Sequence, residues 1–160
     1  MPLDDLEAIR QLKYAYFRLL DTKQFTALGE LLTEDATSSF QSGRLSHDGR
    51  DAIVAFLVKS LSDPGIVTMH NGHHPEITVT SPTTATGTWY LEDRVIVPAQ
   101  DFQLVGTGIY DDMYVKVDGT WKIRHTGYER IFEETMTHSG ARLLKFSSRF
   151  QPEGVSPPKG

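Results

Sequence analysis

FQLVGTGIYDDMYVKVDGTWKIRHTGYERIF, residues 102–132, is the stretch whose reading decides the fold. Apolar and polar residues alternate along it, β-branched and aromatic residues dominate it, and Asp118-Gly119 interrupts it once. That Asp-Gly pair predicts a two-residue hairpin turn between two strands of unusual length. The glycines of GTGIY are followed by no helix, so they predict bulges, curvature and close packing rather than a phosphate loop. Upstream, EITVT (76–80) and TATGTWYLEDRVIV (84–97) carry the same period of two, with a turn signal at Ser81-Pro82 between them.

Before Pro64 the period is helical. In DDLEAIRQLKYAYFRLLD (4–21), Leu6, Ile9, Leu12, Tyr16 and Leu19 recur at spacings of three or four, with Asp4 or Asp5 suited to the N-cap. FTALGELL (25–32) predicts a second, short helix with Phe25, Leu28, Leu31 and Leu32 on one face. RDAIVAFLVKSL (50–61) predicts a third, striped by Ile53, Phe56, Leu57 and Leu61. ATSSFQSG (36–43), between them, suits a short strand. Helices first and long strands afterwards imply an α+β fold. The expected form is a cone-shaped barrel: a strongly curved antiparallel sheet whose N-terminal helices close a hydrophobic pocket.

The totals bound the rest. A chain of 160 residues is most economically one domain, here 1–150, with QPEGVSPPKG (151–160) expected as a mobile C-terminal tail. Sixteen basic and 21 acidic residues leave a net charge of −5, which supplies no electrostatic footprint for nucleic acid. There is no cysteine, so disulfides, thiolate nucleophiles and Cys-ligated zinc are excluded. The charged N-terminus suits a helix start rather than a signal peptide, and no apolar run approaches a membrane span, so a cytoplasmic location is the default expectation.

Three of the six histidines fall in MHNGHHPEI (69–77). His70, His73 and His74 have no familiar zinc spacing, and in a strand His73 and His74 point to opposite faces. No metal is expected. The serines of SSF, KSLSD and FSSRF do not form a nucleophile elbow. Asp21 ends the first helix, where the helix dipole mildly disfavours a carboxylate. Spacing alone leaves it open between an exposed helix-end charge and a functional one.

Four strings together, YAYFRLLDTKQFTALGELLTEDA, HNGHHPEITV, TATGTWYLED and GTGIYDDMYVKVDGTWKI, resemble the SnoaL-like branch of the nuclear-transport-factor-2-like superfamily. Within it the likeness is to the scytalone dehydratase, bile-acid 7α-dehydratase and lindane dehydrochlorinase group. The resemblance implies an acid/base dyad of Asp21, in LLDTK, and His70, in MHNGH. It adds Tyr16, five residues before the aspartate, and Asp93 in YLEDR. The family also uses an arginine late in the final strand. Thr126 stands at that register, and Arg130 is the nearest basic residue of the same parity if no bulge intervenes. The cysteine and lysine that accompany the dehydrochlorinase dyad are absent, which speaks against lindane as substrate.

By residue type, a neutral imidazole accepts a proton at neutral pH, and an ionised aspartate on its other nitrogen fixes its tautomer. Tyr16 would donate to a departing hydroxyl or a developing oxyanion. On an ideal helix Tyr16 and Asp21 differ by about 140°, so both line one pocket only at a helix end. Phe17, Phe56, Met69, Trp89, Leu91, Asp93, Tyr110, Asp112 and Arg130 are the expected substrate-binding residues, with Tyr114 and Phe132 as further candidates. The functional expectation is a cofactor-independent lyase or isomerase acting on a hydrophobic ring compound such as a steroid or polyketide. The alternatives are a polyketide-cyclase-like enzyme using Asp93 or Asp112, and a non-catalytic ligand-binding or assembly domain. The expected partners are a small hydrophobic molecule and further copies of the chain, as homodimer or homotrimer. Neither nucleic acid nor membrane is expected as a partner.

Overall fold

A computed structural model describes residues 3–137, 146–148 and 151–155. Its elements run α1 (Leu3–Asp21), α2 (Phe25–Gly29), β1 (Leu32–Phe40), β2 (Leu45–Asp48), α3 (Arg50–Leu61), β3 (Val67–Ser81), β4 (Thr84–Val97), a 3-10 turn (Pro98–Gln100), β5 (Phe102–Val117) and β6 (Thr120–Met136). A separate pair follows, β7 (Phe146–Ser148) against β8 (Gln151–Val155). Part of the segment expected as a tail is therefore a strand, because its backbone pairs with β7; residues 156–160 lie outside the described residues. Among the described residues, no helix is long and apolar enough to cross a membrane.

The fold is α+β, with a six-stranded curved sheet in the order β2-β1-β6-β5-β4-β3. Two features differ from the expected cone. The sheet is not closed: β2 and β3 are its edges. Nor is it wholly antiparallel, because β1 runs parallel to β6, with Leu32 opposite Ile123 and Ser38 opposite Thr126. This pairing also explains why α2 stops at Gly29: the Ile123 N–H donates to the Leu31 carbonyl at 2.9 Å, drawing Leu31 and Leu32 into the sheet.

The Asp118-Gly119 turn closes the β5–β6 hairpin with Val117 opposite Thr120, both turn residues having positive φ (49° and 81°). Register shifts fall at Gly108 and at the Met113–Tyr114 step against β6, and near His74 in β3. Only the first is at a glycine. The β3 bulge needs a left-handed residue, His74 (φ 49°), beside Pro75, which an edge strand tolerates because its missing N–H costs no ladder bond. In β6 the extra residue, Arg124, switches parity. The inward side chains run Trp121 and Ile123 before it, then the buried Thr126 and the partly buried Tyr128 after it.

Helix α1 lies on the concave face. Ile9, Leu12, Tyr16, Phe17, Leu19 and Leu20 pack there with Trp89, Leu91, Tyr110, Tyr114, Trp121 and Ile123. Each fully buried Leu or Ile of this set contributes roughly 1.5–3 kcal/mol. The helix begins at Leu3, ahead of both predicted caps. Asp5 instead accepts from Lys116 Nζ (2.6 Å) and Trp121 Nε1 (2.9 Å), tying the first turn to β5 and β6. Those two donors hold its pKa below the ordinary carboxylate value. At this N-terminal end the space under the helix is filled. Towards the C-terminal end of α1 it is not.

Candidate active site

The open end is a cleft of about 140 Å³. Its walls include Tyr16 and Leu20 from α1, Phe56 and Leu57 from α3, His70 from β3, Asp93 from β4, Tyr110 from β5, and Tyr128 and Arg130 from β6.

Asp21 does not line this cleft; it stands behind it. Its Oδ1 accepts from His70 Nδ1 at 2.7 Å and from the Thr68 hydroxyl at 2.9 Å, and its Oδ2 accepts from the His70 backbone N–H at 2.8 Å. The 140° separation from Tyr16 is thereby reconciled: Tyr16 faces the cleft while Asp21, at the last helical position, faces β3. An ionised carboxylate can only accept, so the Nδ1 contact assigns the proton to Nδ1 and leaves Nε2 bare. Among the described residues, Nε2 makes no hydrogen bond.

Strand register carries the site onward. His70 is directly opposite Asp93, and Asp93 is opposite Gly106. A side chain on Gly106 would collide with the Arg130 guanidinium and crowd Asp93, so glycine makes room for the pair. Arg130 forks onto Asp93, Nη1 to Oδ1 at 2.5 Å and Nη2 to Oδ2 at 2.8 Å, and lies 4.9 Å over the Tyr128 ring. No register shift falls between Thr126 and Arg130, so the two share a face. Thr126 itself is buried against Lys13 (3.4 Å).

Burial, and secondarily the Asp112 charge, pushes the Tyr16 hydroxyl far above the ordinary tyrosine value. Burial does the same to Tyr110. Both phenols therefore stay protonated, and a protonated hydroxyl can donate a hydrogen bond.

The remaining predicted residues are placed elsewhere. Phe17 packs behind the wall, edge-on to Tyr110 and over Gly72, where any side chain would strike it. Trp89 and Leu91 are fully buried, Trp89 donating from Nε1 to the Tyr114 hydroxyl at 2.9 Å. Met69 is 42% exposed, because adjacent strand residues alternate faces and His70 takes the inner one. Phe132 is exposed as well. His73 and His74 are exposed, His73 lying 3.4 Å from Glu92. Among the described residues no group of three His, Cys, Asp or Glu side chains could hold a metal ion.

Asp112 is likewise not in the cleft wall. Its Oδ2 is 2.7 Å from Lys13 Nζ, with both side chains fully buried, and accepts from the Tyr114 hydroxyl at 2.7 Å. The Lys13 ammonium lies 3.6 Å from the Tyr110 ring centroid and 4.8 Å from that of Tyr16. Burial lowers the lysine pKa, and Asp112 opposes that shift. Sequence reasoning passed over Lys13, although its signal was present: it sits on the α1 stripe between Ile9 and Tyr16. Tyr128 and Gln41, both in the cleft wall, carried no such signal.

Residues 1–127 match the family model of the SnoaL-like domain. The chain belongs to that family. The SnoaL-like fold is shared at low identity with solved structures of several kinds. One is a scytalone dehydratase candidate from Novosphingobium aromaticivorans DSM 12444, with TM-score 0.74, 24% identity, and coverage of 82% of this chain and 87% of that one. Another is the hexachlorocyclohexane dehydrochlorinase LinA-type3 from Novosphingobium barchaimii LL02, with TM-score 0.73, 18% identity, and 88% and 93% coverage. A third is ActVI-ORFA from Streptomyces coelicolor, with TM-score 0.67, 17% identity, and 79% and 96% coverage. At these identities the likeness establishes the SnoaL-like fold and leaves chemistry to the residues of the cleft.

Proposed function

We propose that this SnoaL-like protein is a cofactor-independent lyase or isomerase that removes a proton from a carbon next to a carbonyl of a hydrophobic ring compound. One observation carries the reading: His70 lines the cleft, is held by Asp21 through Nδ1 at 2.7 Å, and has no hydrogen bond at Nε2 among the described residues. The carboxylates compete poorly for the role of base. Asp93 is bound by both Arg130 amino groups, and Asp112 is sealed against Lys13. The strand-aspartate cyclisation alternative is weakened on the same ground.

In the proposed elimination, Nε2 takes the α-proton and the C–H electron pair moves into the ring as an enolate. Tyr16 and Tyr110, both in the cleft wall, would donate hydrogen bonds to the enolate oxygen; their raised pKa values suit them to donate hydrogen bonds rather than to transfer protons. The enolate re-forms the carbonyl as the β C–O bond breaks. The proton on the His70 imidazolium leaves with the hydroxyl as water, which returns the histidine to neutrality. In an isomerisation the same proton returns to a different carbon. Asp21 stabilises the imidazolium between the two steps.

The expected homodimer or homotrimer belongs to the same reading. Tyr90, Met113 and Phe132 are among the apolar residues that strands of the sheet expose and that an interface would cover.

The test is turnover of β-hydroxy ketones on steroid and polyketide-like rings by wild type, His70→Ala and Asp21→Asn, read by the absorbance of the enone formed. Both variants are expected to lose 10²–10⁴-fold, the usual worth of general acid–base help. Activity surviving in both would rule out the dyad.

A further inference from the structure

The cleft has a second polar region, on the β1 side and across Arg130 and Asp93 from His70, built on a backbone that its residue types do not favour. Directly after β1, Gln41, Ser42 and Gly43 have φ of 53°, 56° and 84°. Two of these carry side chains, for which the left-handed region is unfavourable, and such residues persist only where their surroundings over-determine them. Here the turn is pinned to β6. The Ser42 N–H donates to the Tyr128 carbonyl (3.1 Å), and the Arg130 N–H donates to Ser42 Oγ (3.1 Å). The consequence is that the Gln41 side chain is held in the cleft wall.

Its orientation follows from donor chemistry. Gln41 Oε1 lies 3.4 Å from Arg130 Nε and 3.3 Å from Arg44 Nη2. Guanidinium groups only donate, so the carboxamide oxygen must face the two arginines and the amide NH₂ must face away. That Nε2 makes no hydrogen bond among the described residues. Arg130 is itself engaged by Asp93 and, through Nε, by Glu133 at 3.2 Å. At this end of the cleft Gln41, unlike the arginine, therefore offers an unengaged donor. A carboxylate ligand would meet two acidic side chains sharing one cation. A neutral oxygen would not.

His70 is on the edge strand β3, and Gln41 follows β1, four strands away in the sheet order. Across the concave face the Arg130 guanidinium spans the gap, from Gln41 at Nε to Asp93, the residue directly opposite His70, at Nη1 and Nη2. We propose that Gln41 determines specificity by donating from Nε2 to an uncharged acceptor oxygen, a carbonyl or hydroxyl, at the end of the substrate remote from His70. The substrate class is then an elongated, rigid fused-ring ketone with a second oxygen at its far end. The inference rests on the lyase reading above for the role of His70, and it adds what the opposite end recognises.

The probes are androst-4-en-3-one and androst-4-ene-3,17-dione, which differ by one terminal oxygen. Their equilibrium binding is measured by calorimetry to wild type, Gln41→Leu, Gln41→Gly and His70→Ala. Wild type is expected to prefer the dione by about tenfold, the worth of one well-placed hydrogen bond. Gln41→Leu should bring the two within twofold by weakening the dione alone, while His70→Ala keeps the preference. Gln41→Gly should also lose the preference without a lower melting temperature, because it relieves the positive φ; this separates recognition from folding. Equal affinities in wild type, or a preference that survives Gln41→Leu, would overturn the Gln41 inference and leave the dyad standing. Absence of binding by either steroid would overturn the inference and the steroid-like ring reading together.

Discussion

Two buried carboxylate–cation pairs stand on the concave face of one sheet, with opposite surroundings. Lys13 and Asp112 meet at 2.7 Å with neither side chain exposed, enclosed by the rings of Tyr16, Phe17 and Tyr110. Asp93 and Arg130 meet at comparable distance but border the cleft, and the arginine side chain retains 10% exposure. The first pair seals the end of the cone where Trp89, Tyr114, Trp121 and Ile123 leave no space. The second stands where Val95, Leu104 and Phe56 line an opening. The same pairing is therefore packing in one place and part of a cleft wall in the other, and residue type alone does not distinguish them. Asp93 and Asp112, equivalent candidates in the sequence, separate on this difference.

The comparison can be broken in several ways. The largest effect is expected at the open end, where His70→Ala should lower turnover 10²–10⁴-fold with little change in melting temperature, since the ring is part of a wall and not of the sealed core. At the closed end the reverse holds. Lys13→Ala leaves Asp112 buried and uncompensated and should cost about 3–5 kcal/mol of stability by denaturant titration. The double variant Lys13→Met/Asp112→Leu should recover most of that loss. Asp112 Oδ1 already lacks a partner, so the pair is incompletely satisfied.

Gly106→Ala, under the second pair, should cost about 1–3 kcal/mol by forcing Arg130 off Asp93. It should also weaken ligand binding, which the Lys13 double variant should spare. The smallest effect is at Asp5. Its pKa is lowered on folding, so its stabilisation is complete above the unfolded value of about 3.9 and is lost as pH falls through the lower folded value. Asp5→Asn should flatten the acid limb of the stability–pH curve there and leave the neutral region's slope unchanged.

Much of this was legible in the residues. The period-two strands, the Asp-Gly turn and the three helices follow from local pattern, whereas strand parity alone puts His70 and His74 on one face and it is the bulge at His74 that separates them. The parallel β1–β6 pairing was not legible, because no local signal states which non-adjacent strand a segment joins. Nor was the inward parity of Arg130, which depends on a one-residue bulge at Arg124. Asp21 and His70 came from family resemblance, and strand alternation made them compatible. The burial of Asp112 against Lys13 required knowing which helix face meets which strand. Gln41 was invisible for a different reason: its role depends on a left-handed backbone held by contacts from β6.

The account's central claim is that Asp21 fixes His70 as a base with its bare nitrogen towards the cleft. Long-range ¹H–¹⁵N correlation of the His70 ring, at a pH where the imidazole is neutral, tests it without any substrate. The expected result is a proton on Nδ1 and none on Nε2, with the preference lost in Asp21→Asn because an amide can donate to Nδ1. A neutral His70 carrying its proton on Nε2 in the wild-type protein would contradict it.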